Sequence, residues 1–303
     1  MSRVPSRTVT EALITPKPSL RGAKRSVGAK IWSVLKHLLL LALALIMIYP
    51  LLWMVASSFK PEWMIFQDPT LFISEFDPSH YADGWNALTY QFGLYMTNSA
   101  IVVAGSLVGN LLTCSMAAYA FAKLRFRGRS ILFGAMMLTL MLPFHVLLIP
   151  QYVVFAQLGW VNTFLPLIIP KFLATDAFFV FLMVQFFRGL PRELDEAARI
   201  DGAGFWRTYF SIILPLSVPA LATTAIFTFI WTWNDFFSQL IYLTKPALQT
   251  APIALRNFVD STGQSSWGAL FAMSIVTLIP VFLVFLFGQK FLIKGIATTG
   301  LKG

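Results

Sequence analysis

The sequence predicts an all-α membrane protein of six spanning helices with both termini on one face, and three observations carry that prediction. Of the 303 residues, 57% are hydrophobic and only 12% are charged, about half the charge of an ordinary globular chain. Six stretches are long and apolar enough to cross roughly 30 Å of hydrocarbon, which takes about 20 residues of helix because backbone amides in lipid must be bonded within their own segment. Finally, 19 of the 23 basic residues fall in the N-terminal tail, in alternate connections and at the C-terminal end, the pattern that marks a cytoplasmic face. This composition excludes a soluble enzyme and a disordered chain. The single cysteine, Cys114, forms no intrachain disulfide, so a disulfide scaffold is excluded as well.

Residues 1–30, rich in Pro, Ser, Arg and Lys, read as a mobile cytoplasmic tail, and 31–303 as one transmembrane domain. The first helix is placed at about 33–56; it is uncharged from Leu38 to Ala56, longer than a secretory signal core, and so reads as a retained span. The loop after it holds Glu62, Asp68, Glu75, Asp77 and Asp83, acids that cost little on the outer side. The second helix, about 96–122, leads into Lys123, Arg125, Arg127 and Arg129, and the third covers about 130–150. The fourth, about 170–188, is interrupted by Lys171 and Asp176. A connection with Arg188, Arg192, Arg199 and Arg207 precedes the fifth helix at about 208–235. The long stretch Phe236 to Trp267 then leads to the sixth, about 268–291, followed by Lys294 and Lys302. The net charge of +10 is thereby a topology signal, and no nucleic-acid partner is implied.

No Gly-x4-Gly-Lys-Ser/Thr cradle for nucleotide phosphates occurs, and His37, His80 and His145 are scattered without metal-ligand spacing. Asp176 and Asp235 are the only carboxylates within or at the edge of the spans, fewer than a proton-coupled carrier uses. The driving chemistry is therefore expected in another subunit, and no cofactor or metal is expected here. At mid-depth against lipid Asp176 would cost about 3 kcal/mol, so it faces protein or water, as a partner of Lys171 or in contact with a substrate. Gly105-x3-Gly109 reads as close helix packing, and His145 as an interface residue.

The longest basic connection predicts a short helix at about 191–202. Pro191 suits its first position, Glu193, Asp195 and Glu196 suit the positive end of the dipole, and Gly202 suits the C-terminal cap. Too short and polar to span, it should lie along the membrane face. Ala197 and Ala198 offer a low-relief side, and Leu194 and Ile200 apolar contacts. The pattern suits a docking surface or, equally, a solvated linker helix. On the fifth helix, Thr223, Thr224, Thr228, Trp231 and Asn234 suit a sugar pathway, since hydroxyls take hydrogen bonds and C–H faces stack on aromatics. The same residues also suit back-bonding within the helix and an interfacial belt.

Glu196-Ala197-Ala198-x3-Gly202-x9-Ile212-x-Leu214-Pro215 is similar in full to the EAA motif of the membrane subunits of binding-protein-dependent ABC importers. Leu158-Gly-Trp-Val-Asn-Thr, Trp231-Thr-Trp-Asn-Asp-Phe-Phe, Leu248-Gln-Thr-Ala-Pro-Ile and the Leu301-Lys-Gly ending resemble the maltose-type sugar-permease branch, in the smaller of its paired subunits. The likeness covers roughly residues 30–303. It implies a six-helix type I ABC importer permease fold with cytoplasmic termini, in the bacterial inner membrane. It also implies a second permease subunit, a homodimeric ATPase that binds ATP and Mg, and an external sugar-binding protein reached by the loop 236–267. Carried over residue by residue, it makes 191–202 a coupling helix. Glu196 would meet the ATPase, Ala197 and Ala198 would make the close contact, and Leu194, Ile200 and Asp201 would complete the surface. Gly202 would turn the chain beneath it, and Lys302 and Gly303 would reach the ATPase dimer. ATPase closure would move the helix as a rigid lever and switch access. A self-contained secondary carrier or channel, and an intramembrane enzyme built on Asp176 and His145, are the rival readings; neither accounts for the EAA spacing.

Overall fold

The computed structural model describes residues 27–259 and 266–300, and no strand occurs among them. Lys302, Gly303 and the predicted tail up to residue 26 lie outside the described residues. The chain divides into two units, one ending at Leu52 and the other starting at Trp53. All of the first unit's described part belongs to α1 (Val27–Ser57), which takes in four residues of the predicted tail and carries Pro50 within it. Leu38 to Leu41 stand exposed along it, as suits a helix surrounded by lipid.

In the second unit α2 (Ser79–Asn86) precedes α3 (Phe92–Lys123). Next come α4 (Arg129–Thr139) and α5 (Phe144–Gln157), which meet at 101°. The segment expected as a straight span over 130–150 is bent between Thr139 and Phe144 and runs on to Gln157. Pro143 caps α5 and breaks the ladder, whereas Pro150 sits inside a helix that runs on to Gln157. The fourth span starts earlier than predicted: α6 (Leu165–Ile168), a 3₁₀ turn (Ile169–Leu173) and α7 (Ala177–Gly189) form one 25-residue crossing. After α8 (Glu193–Ile200), the fifth comprises α9 (Phe205–Thr208), a π-helical turn (Tyr209–Ile213), α10 (Leu214–Leu216) and α11 (Val218–Trp233), with a 75° bend before α11. Pro215 and Pro219 withdraw amide donors on either side of that bend, and the Ser217 hydroxyl donates instead to the Ile213 carbonyl at 2.6 Å. The short helices α12 (Phe237–Tyr242) and α13 (Ala251–Arg256) lead to α14 (Trp267–Gly300). Among the described residues, four helical segments are long and apolar enough to cross a membrane, and counting each bent pair once makes six.

The axis of the second unit is α3, flanked by α7 and α11. One buried cluster joins Cys114 and Ala118 of α3 to Phe179, Met183 and Phe187 of α7, and to Tyr209 and Ile213. A second joins Phe92 and Tyr95 to Ala251 and Ala254 of α13 and to Ala272 and Met273 of α14. Lipid tails are as apolar as these side chains, so helix association rests on close packing rather than desolvation. Gly109 permits that packing: a Cβ there would lie 2.9 Å from the backbone of Lys171.

The connection between α1 and α2 is held by a buried lysine. Lys60 is wholly inaccessible and donates from Nζ to the carbonyls of Asp68 at 2.8 Å and Thr70 at 2.7 Å, and to the Asp68 carboxylate at 3.3 Å. The Thr70 hydroxyl and amide, and then Lys60, hold the Asp68 carboxyl below its usual range. Its contribution is therefore whole above the unfolded value of about 3.9 and is lost as the pH falls through the lowered one. Glu62 accepts from the amides of Trp267 at 2.7 Å and Gly268 at 2.9 Å, placing an anion on two orphan donors of α14. Glu62→Ala is expected to lower stability by about 1 kcal/mol, the scale of a lost helix cap. Thermal unfolding of the purified protein in detergent measures this, and Glu62→Gln, which keeps one acceptor, should lose less.

Candidate functional site

The loop helix has a definite start and stop. Leu190, the residue before Pro191, is extended at φ −72°, ψ 139°, and this ends α7. Pro191 lies ahead of α8 rather than at its first position, because Arg192 takes the cap and its carbonyl accepts from the Asp195 and Glu196 amides. At the other end the Gly202 amide donates to the Arg199 carbonyl at 3.1 Å and the Ala203 amide to the Ala198 carbonyl at 2.8 Å, the pair of bonds that makes a Schellman stop. Gly202 sits at φ +71°, and a Cβ built there meets nothing within 4 Å. Glycine is thus required by the left-handed backbone and not by space, a difference of about 1–2 kcal/mol against other residues.

The candidate docking residues do not share one face. Glu193, Glu196, Ala197 and Ile200 follow the helical repeat and are exposed, Ile200 to 86%. Asp201 and Gly202 are exposed beyond them. Ala198 is buried at 3% and Leu194 is half-buried, so both pack toward their own chain. This corrects the expectation that Ala197 and Ala198 form one low-relief contact side. Successive helical residues point about 100° apart, and the chain's own packing claims Ala198.

Three residues of α3, one turn apart, hold the loop helix and its continuation. Lys123 pairs with Asp195 at 2.7 Å, the Tyr119 hydroxyl donates to the Phe205 carbonyl at 3.2 Å, and the Ser115 and Tyr209 hydroxyls bond at 2.7 Å. The i, i+4, i+8 spacing puts all three on one side of α3, and the Tyr119 and Tyr209 rings also meet at 5.2 Å. Sequence reasoning missed this bracket. Lys123 reads there only as a topology charge, although its position at the end of the second span sets it level with the loop.

The polar residues expected to line a pathway on the fifth helix are placed differently. Thr224 and Thr228 are buried at 0% and 1%, so their hydroxyls face the interior of the bundle and line no open wall of this chain. For Thr228 the reason is pairing, since it accepts from Asn110 at 3.2 Å and Asn110 also donates to Asp176 at 2.6 Å, whereas the buried Thr224 hydroxyl meets no hydrogen-bond partner. Thr223 bonds back to the Pro219 carbonyl and Asn234 to that of Ile230, each at 2.8 Å. Of the five, Trp231 and Asn234 are exposed, Trp231 over half its area with its ring near those of Phe178 and Phe179. Asp176 pairs with Lys171 at 2.9 Å, one of the two options open in the sequence. His145 meets Phe237 edge-on and joins no group of metal-ligating residues among those described.

Helices long and apolar enough to cross lipid, packed around α3, define a class, that of multi-pass membrane proteins. Residues 109–298 match the family described as the binding-protein-dependent transport system inner membrane component, and the chain belongs to that family. It is a multi-pass permease subunit of the bacterial inner membrane and not itself an enzyme. The probable ABC transporter permease protein YurM of Bacillus subtilis is 35% identical, over 90% of this chain and 88% of its own. The trehalose/maltose transport system permease protein MalG of Thermococcus litoralis is 33% identical, over 89% and 98% respectively. A solved bacterial ABC transporter involved in the import of the acidic polysaccharide alginate contains a chain of like fold, with a TM-score of 0.78 at 24% identity, covering 88% of this chain and 98% of that one.

The bracket makes a local prediction. Removing it with Lys123→Met and Tyr119→Phe should speed amide exchange in 193–203 by about tenfold, equivalent to ~1.4 kcal/mol of local opening, and leave α11 unchanged. Hydrogen–deuterium exchange with mass spectrometry measures both regions.

Proposed function

We propose that this chain is one of two membrane-spanning subunits of an ATP-driven, binding-protein-dependent carbohydrate importer, in which it forms half of the translocation pathway. Its partners are a second permease subunit, a homodimeric cytoplasmic ATPase that carries ATP and Mg, and an external sugar-binding protein. The termini and α8 face the cytoplasm, in keeping with the distribution of Lys and Arg. The observation that carries the reading is the exposed stripe Glu193, Glu196, Ala197 and Ile200 on a helix fixed to α3 and closed by a left-handed Gly202.

In this reading the stripe sits in a cleft of the ATPase. The Glu196 carboxylate meets a basic or amide group there, Ala197 permits close approach, and Ile200 enters an apolar pocket. Leu194 and Ala198 act from the other side by seating α8 on its own chain. Closure of the ATPase on ATP displaces α8, and the bracket at Ser115, Tyr119 and Lys123 passes that displacement to α3 instead of letting the loop absorb it. A rigid coupling of this kind suits alternating access. The carbohydrate cargo is supported by the relatives, MalG among them, whose name specifies trehalose and maltose.

The test is reconstitution of the whole importer in proteoliposomes with Glu196→Trp or Gly202→Val. Each is expected to lower binding-protein-stimulated ATP hydrolysis and transport at least tenfold while the ATPase alone retains its basal rate. Undiminished stimulation in both variants would remove the coupling role, and transport by this chain alone, driven by an ion gradient and indifferent to ATP, would replace it with a secondary carrier.

A further inference from the structure

The charged pair Lys171–Asp176 lies deep in the bundle, and the backbone is broken where it lies. Asp176 is bonded to Asn110, which is 18 residues from the Phe92 end of α3 and 13 from the Lys123 end, or about 27 Å and 20 Å at 1.5 Å per residue. The pair is therefore near mid-depth. Lys171 and Asp176 nevertheless keep 28% and 25% of their side-chain surface open. Between them the helix is interrupted, with Ala174 in the left-handed region at φ +53° and Thr175 exposed.

Two independent rules assign that open surface. An ionised group at mid-depth faces the bundle interior or water, not lipid. Non-helical backbone at that depth is tolerated only where protein buries it or where it lines a water-filled cavity. This chain by itself does not meet the first condition of either rule, and the side left open is the one that faces the water-filled pathway shared with the second permease subunit. The chemistry of the pair then specifies what it meets. Lys171 Nζ has three donors and gives two, to Asp176 Oδ1 at 3.1 Å and Oδ2 at 2.9 Å. The carboxylate has about four acceptor positions and fills three, the third with the Asn110 amide. One donor and one acceptor remain side by side, with no net charge between the two residues. Trp231 stands nearby. It is half exposed, one turn along α11 from the Thr228 that shares the Asn110 amide, and its ring lies 5.4 Å and 5.1 Å from those of Phe178 and Phe179.

We propose that Lys171, Asp176 and Trp231 form the contact this subunit makes with its cargo, the ion pair taking a vicinal diol of a neutral carbohydrate and the indole a C–H face of the ring. The inference rests on the carbohydrate-importer reading. It moves the polar wall from the threonines of the fifth helix to the break in the fourth. Asn110 and Thr228 are positioning residues, which hold the carboxylate in place from the buried side.

The experiment uses the assembled importer in proteoliposomes. Cys114, the only native cysteine, is fully buried and keeps the background low. Thr175→Cys is expected to react with a charged, membrane-impermeant methanethiosulfonate at least tenfold faster than Phe287→Cys, whose native ring is 68% exposed on an apolar stretch of α14. A Thr175→Cys importer that hydrolyses ATP yet stays unlabelled with and without ATP would overturn the proposal. For cargo contact, Lys171→Met with Asp176→Leu removes the pair without stranding a charge. The KM for transport should rise at least tenfold with ATPase stimulation within twofold of wild type, measured with whichever the wild type carries of maltose, trehalose and diacetylchitobiose, the sugars in the names of permeases similar to this chain. An unchanged KM would reduce the pair to a structural role and overturn the contact. A wild type that carries none of the three counts against the cargo reading, while the labelling arm still decides whether this face meets water.

Discussion

Polar groups carried into hydrocarbon must be satisfied by protein, because no water is there to do it, and on α3 this one requirement shapes both ends of the chain's working parts. At its middle, Asn110 is committed to Asp176 and Thr228 together. Toward its end, Ser115, Tyr119 and Lys123 are committed to the segment that begins with the loop helix. Each bond removes a donor or acceptor that lipid would leave unmet, and each ties a separate stretch of sequence to the same helix. The packing around them adds dispersion rather than hydrophobic drive, which is why glycines and alanines occupy the closest approaches.

The consequence for mechanism is that α8 is not a free loop element. A helix of eight residues has little stability alone, so a force applied to Glu196 or Ile200 would unwind it unless something else held it. The Schellman stop at Gly202 and the pairing of Asp195 to Lys123 supply that hold from two sides. The division of Ala197 from Ala198 follows from the same arrangement, since a helix seated on its own chain must spend one face on that seat. What is left outward is a narrow stripe, suited to insertion into a cleft and too small for a flat interface.

The membrane spans show how proline and charge are accommodated at depth. Pro143 bends the third span by 101°, and Pro215 with Pro219 bends the fifth by 75°. In the fifth, a serine hydroxyl bonds one of the carbonyls near the break. In the fourth, no proline stands at the interruption over 174–176, and the ion pair of Lys171 with Asp176 closes it instead. A fold that only had to cross the membrane would have no need of that interruption.

The apolar stretches and the short surface helix are legible in the chain because they depend on local quantities, apolar length and the capping preferences of Pro, Glu and Gly, whereas the bends that break two of those stretches are not. The EAA spacing is legible for the same reason, being a pattern along the chain. Where Thr224 and Thr228 point, that Ala198 is already occupied, and that Lys123 answers Asp195 rather than merely marking a side were settled only by tertiary structure. Each depends on which faces of distant helices meet, and hydroxyls, methyls and charges 72 to 118 residues away compete for those faces. Periodicity constrains the choice of face to a few options; only the partner helix selects one.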